Sequence, residues 1–141
     1  MAGSFSAGVK RRVEDRKRRL HAAGREFVLD IGDRLIEGSP VVTGRFRSNW
    51  YLGVDNVVRT TTELVDIPHV NNLETIPEKA GGHVYYFSNA LPYAMRIEYG
   101  FRGPDSLGRV YNQPPAMVVG LTIGESPQIA RRAAAKVKAG R

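Results

Sequence analysis

Three histidines, His21, His69 and His83, are the chain's imidazoles, and they stand 48 and 14 positions apart. Zinc-type sites built on one helix need ligands a turn apart, usually with cysteine or carboxylate partners, and neither condition is met. A serine nucleophile held on a strained elbow needs glycines two residues to either side, and no such motif occurs. Gly120 and Gly124 lie four apart in Val119–Gly124, but no lysine follows, so the run does not cradle a phosphate. Glu98 and Asp105 are the acids near the aromatic stretch Tyr93–Tyr99. One carboxylate beside tyrosines suits hydrogen bonding better than proton transfer. The sequence therefore points to no enzyme, no catalytic residue, no cofactor and no metal.

Cations are the other candidates. The net charge is +7, and the excess gathers at the two ends. Lys10, Arg11, Arg12, Arg16, Lys17, Arg18, Arg19 and Arg25 crowd the first quarter, and Arg131, Arg132, Lys136, Lys138 and Arg141 the last. Such clusters suit an anionic surface, either nucleic acid or an acidic protein face. Arg11, Arg12, Arg18 and Arg19 are the expected partner or DNA contacts. No DNA-reading motif accompanies them, and Tyr85, Tyr86 and Phe87 lack the interleaved cations of an RNA-binding sheet. A small basic nucleic-acid-binding module is thus the alternative reading, not the leading one.

The elements that must carry these groups follow from periodicity. With 141 residues the chain is one domain long. Residues 1–7 are expected to be disordered and 8–140 to form a single domain. Cysteine is absent, which excludes a disulfide framework. No apolar run nears the ~20 residues of a membrane span, and the N-terminus lacks the layout of a signal peptide. A soluble protein without membrane contact is expected. Val9, Val13, Leu20, Phe27, Ile31 and Leu35 recur at helical spacing over 8–37, with Arg16 and Lys17 interrupting the stripe. The first half of this helix should therefore project, and Gly38 and Pro40 should end it.

A strand is predicted over 49–58, with 60–65 extending or pairing with it, and another over 83–87. Residues 66–82 and 101–113 look like exposed loops. A short helix is predicted over 91–99, with Pro92 in its first turn and Gly100 as its stop. The end of the chain admits two readings: a strand over 116–123 followed by a helix, or one helix tolerating Gly120, Gly124 and Pro127. Propensity favours the first.

Two stretches stand out. Pro40-Val41-x-Thr43-Gly44-x-x-Arg47-x-x-Trp50 resembles a signature of the tail-completion, or head-to-tail joining, proteins of tailed bacteriophages. Ser88-Asn89-x-x-Pro92-Tyr93-Ala94-x-x-x-Glu98-x-Gly100 resembles that family's second signature, and Pro114–Val118 is similar to its third block. Val42 departs from the pattern, which usually has Asp there, and so does Ser126-Pro127 near the C-terminus.

The resemblance implies an α+β fold: a long N-terminal helix, a central, mostly antiparallel sheet, a short helix, and a mainly helical end packed on the sheet. It also implies a virion structural protein of the neck or tail top, assembled in the host cytoplasm as a homo-oligomeric ring of six- or twelve-fold symmetry. Its neighbours would be head–tail connector, tail terminator or tail tube proteins, with non-specific contact to packaged DNA. Pro40, Thr43, Gly44, Arg47, Trp50, Asn89, Pro92, Tyr93, Glu98 and Gly100 would maintain the fold. Arg47 is expected to pair with Glu98, and Tyr93 to bond backbone through its hydroxyl. The 66–82 and 101–113 loops and the basic helix would reach neighbouring subunits.

Overall fold

A helix that continues for many turns beyond its buried stretch outgrows the small body it packs on, and the first helix does so. The computed structural model describes residues 2–140. Helix α1 spans Ala2–Gly38 and takes in residues 2–7, which the sequence pattern assigns to a disordered terminus. Its second half buries Val28 and Leu35, while Phe5, Val9, Val13 and Leu20 of the first half stay exposed. Past Gly38, the Ser39 hydroxyl donates to the Leu35 carbonyl at 2.6 Å and Pro40 ends the helix.

The chain then turns through a short 3-10 segment, Arg47–Asn49, into strand β1 (Tyr51–Val54). Strand β2 (Tyr85–Ser88) pairs antiparallel with it, with Leu52 opposite Phe87. Both strands are shorter than expected, and 60–65 adds no strand. The 66–82 segment is not an exposed flap. Val70, Ile76 and Ala80 are buried in the main core, and Asn71 bridges to β1 in parallel fashion. Gly32 of α1 allows this packing: a β-carbon there would stand 3.1 Å from the Val70 side chain.

Helix α2 (Ala94–Tyr99) ends at Gly100, whose φ of 78° favours glycine. Residues 101–113, expected to be a loop, form a second antiparallel hairpin of β3 (Phe101–Pro104) and β4 (Val110–Gln113). Its turn is organised by Asp105, which accepts from the amides of Leu107 and Arg109. The antiparallel pairing is therefore divided between two two-stranded sheets.

Helix α3 spans Val118–Ala139 and settles the two C-terminal readings in favour of helix. Pro127 lies inside it and removes the amide that would serve the Ile123 carbonyl. The Ser126 hydroxyl donates to that carbonyl instead, at 2.7 Å. The fold class is α+β, as expected. α3 packs chiefly along α1, where Arg34 pairs with Glu125, and Lys136 with Asp30 at 2.9 Å. Exposed pairs of this kind are screened by water and add little to stability. Burial of Leu35, Trp50, Leu52, Val70 and Val118 contributes about 2 kcal/mol per side chain.

Candidate functional site

The three sequence blocks come together where the α1–β1 connector, α2 and the start of α3 meet. In the first block, the Thr43 hydroxyl accepts from the Arg45 amide at 3.2 Å and sets a tight local turn. Gly44 has φ 93°, and a β-carbon on it would lie 2.1 Å from the Val65 carbonyl oxygen. Backbone therefore passes over backbone there, which only glycine permits.

Trp50 is 4% exposed. Its indole N–H donates to the Ser39 hydroxyl at 2.9 Å, and its ring meets Phe46 edge-on at 5.7 Å. Asn49, fully buried, donates to the carbonyls of Arg45 and Thr62 and accepts from the Thr62 amide. Asn71 likewise bonds the carbonyls of Ser48 and Trp50. Ser39, Ser48, Asn49 and Asn71 replace secondary structure in a stretch that has almost none. Sequence reasoning passed over all four. Ser48-Asn49 between Arg47 and a core tryptophan was the available signal.

In the second block, the Asn89 side chain donates to the Phe46 carbonyl at 2.9 Å, tying the two blocks together. Pro92 is exposed just before α2. Tyr93 is half-buried, and its hydroxyl makes no hydrogen bond among the described residues.

Glu98 does not meet Arg47. Its carboxylate accepts from the amides of Val119 at 2.8 Å and Gly120 at 3.0 Å, which open α3. In return the amides of Ala116 and Met117 donate to the carbonyls of Ile97 and Glu98 at the end of α2. Each helix end thus satisfies the other's unpaired groups. The Arg47 Nε is buried without a hydrogen-bond partner. Geometry explains the miss: the open α3 amides stand beside Glu98 and take both of its oxygens.

Between the connector and the β3–β4 hairpin lies a cleft of about 410 Å³, lined by Pro40, Thr43, Gly44, Tyr93, Arg96 and Tyr111 among others. The Arg96 guanidinium sits 4.1 Å from the Phe101 ring centroid. Val42, 97% exposed, stands at its rim. The lining is mostly apolar and aromatic with one cation, which suits contact with a polypeptide surface.

The histidines are dispersed. His21 accepts from the Gly81 amide, His83 pairs with Asp55 at 2.7 Å, and His69 lies against the Val70 carbonyl. The His83 bond holds the Asp55 carboxyl below its usual range. Among the described residues no three metal-ligating side chains gather, and no helix is long and apolar enough to cross a membrane. Arg11, Arg12, Arg18 and Arg19 are all exposed on α1, with Arg18 paired to Asp15. They lie along the helix, away from the cleft.

Comparison with known protein families, with curated proteins and with solved structures finds no match.

Proposed function

We propose that this protein is a structural subunit of the neck or tail top of a tailed bacteriophage, part of a ring that completes the tail and joins it to the head. The observation that carries this reading is the convergence of the three blocks resembling the tail-completion family. They lie as far apart in sequence as Pro40 and Val118, yet Asn89 ties the first to the second and Glu98 ties the second to the third. Blocks that cooperate in one junction support a shared origin better than three unrelated short matches would.

The surface fits the same reading. Phe5, Val9 and Val13 on the protruding helix, with Leu107 and Val110 on the hairpin, are apolar side chains left in water. A ring subunit covers such groups with its neighbours, and identical subunits in a ring meet head to tail. Connector, terminator or tube proteins would be the adjoining layers, and the virion the place of residence.

The test is electron microscopy of particles assembled without this protein. Unjoined heads and tails are expected. Normal virions would refute the reading.

Arg11, Arg12, Arg16 and Arg19, exposed and without an ion pair among the described residues, favour one second reading, a free nucleic-acid-binding module. It requires tight, salt-sensitive DNA binding by the isolated monomer. The structural reading expects little binding outside the assembled ring.

A further inference from the structure

One charged ridge runs the length of α1. Arg12, Arg16, Arg19, Glu26, Asp30, Asp33 and Glu37 follow one another at intervals of three, four or seven residues, which keeps them on a single helix face. Asp15, paired with Arg18, shares this face, so the ridge is positive on balance in its first half and negative in its second. Among the described residues Arg12, Arg16, Arg19, Asp33 and Glu37 make no ion pair.

The two ends of the ridge cannot neutralise each other within one copy. Arg12 and Asp33 are 21 positions apart on one straight helix, a separation of about 30 Å. The turns of α1 before Arg16 also stand clear of the body. The end of α3 reaches α1 between Arg16 and Ala23, so the turns before it carry Phe5, Val9 and Val13 into water.

The negative half, by contrast, lies on the body beside α3. Arg34, Arg132 and Lys136 face it, but Arg34 is held by Glu125, and Lys136 by Glu26 and Asp30. Partial burial, then the neighbouring Asp30 and Glu37, push the Asp33 carboxyl above its ordinary range. Five carboxylates there, Glu125 included, face three cations, Arg34, Arg132 and Lys136, so negative charge remains in excess.

We propose that the protruding start of α1 docks, through Arg12, Arg16 and Arg19, on the Glu26–Asp30–Asp33–Glu37 ridge of a second copy of this chain. The inference deepens the ring reading by naming the contact between subunits. Two overhangs do not pair with each other, because residues 10–19 hold seven cations against two carboxylates. Duplex DNA would use the arginines but leave the Phe5–Val9–Val13 stripe, which borders Arg12 and Arg16, in water. The acidic ridge of a second copy meets the arginines with carboxylates on a folded surface that every copy presents. In a ring, each copy gives its overhang to one neighbour and receives that of the other.

The test is a charge swap read by sedimentation velocity on the full chain. Self-association of the native protein is expected, weakened about tenfold or more by Arg12→Glu with Arg16→Glu, and equally by Asp33→Lys with Glu37→Lys. Combining all four substitutions restores it, since the signs are then exchanged. Circular dichroism confirms that each variant keeps its helices, so lost assembly is not lost folding.

Association indifferent to both pairs of reversals overturns the proposal and leaves the ring reading standing. A chain monomeric up to roughly millimolar concentration also overturns it, while the particle imaging still decides the ring. Reversal of Arg12 and Arg16 that abolishes duplex-DNA retention without affecting self-association assigns the overhang to DNA and overturns it too. A charge-dependent species that stops at two copies supports the contact and counts against the ring. Larger charge-dependent oligomers support both.

Discussion

Glu98 caps the first turn of α3 through Val119 and its neighbour: its two carboxylate oxygens accept the amides of Val119 and Gly120, at 2.8 and 3.0 Å. A negative charge at the positive end of a 22-residue helix, bonded to two otherwise unpaired donors, is favourable on both counts. Glu98→Ala should therefore destabilise the protein by about 1–2 kcal/mol. Glu98→Gln, which keeps an acceptor but loses the charge, should cost less. Urea unfolding of the three proteins checks the order, and equal stabilities would mean that the carboxylate does not cap α3.

Gly44 should tolerate no side chain. Positive φ costs about 1–3 kcal/mol for alanine, and the added carbon would also collide with the Val65 carbonyl. Gly44→Ala is expected to lose about 3 kcal/mol or more. A loss under about 1 kcal/mol in the same urea series would mean that the 43–48 and 62–67 segments do not cross at backbone distance.

The Arg34–Glu125 pair predicts an acid-sensitive union of α1 and α3. The hydrogen bond from Arg34 holds the Glu125 carboxyl below its ordinary range. A depressed carboxyl stabilises the fold fully above its unfolded pKa of about 4.3, and that contribution falls away as pH drops through the lower folded value. Thermal melts of native protein and Glu125→Gln should thus differ at pH 7 and converge at strongly acid pH. A gap that widens towards acid would contradict the sign.

Asp33 works in the opposite direction. Its carboxyl is raised, first by partial burial and then by Asp30 and Glu37, so ionisation above that value costs stability. Asp33→Asn should melt at a slightly higher temperature than the native protein at pH 7. The advantage should vanish below the ordinary carboxylate range, where Asp33 is protonated in both states. A lower melting temperature at pH 7 would show that the residue is compensated within the monomer.

How much of this was legible in the sequence depended on whether local signals carried the fold. The long helix announced itself through the spacing of residues such as Phe27, Ile31 and Leu35, and it stopped at Gly38 as its residues dictate. Trp50 was a plain core candidate, and Gly100 a plain stop. Val70, Ile76 and Ala80 share no period and sit among prolines and asparagines, so only tertiary contact makes them core. Gly103, Pro104 and Gly108 suppress strand propensity in the hairpin, and β4 shows no burial alternation to betray it.

At the C-terminus Gly120, Gly124 and Pro127 argue against helix. Glu98 and Ser126 outweigh them by satisfying the backbone groups in question. The expected Arg47–Glu98 pair failed for a related reason. Complementary charge is visible in sequence, whereas an open helix end competing for the same carboxylate is not.

The uninterrupted course of α1 has a mechanical meaning. At about 1.5 Å per residue, its 37 residues make a beam of about 55 Å. Its inner end is clamped by the Ser39 bonds to Leu35 and Trp50. Force on the tip near Phe5 therefore arrives as torque at the root. There it bears on the same tryptophan, connector and cleft that join the three blocks. Load on the outermost turns and the geometry of the motif junction are coupled by stiffness alone, with no moving loop between them.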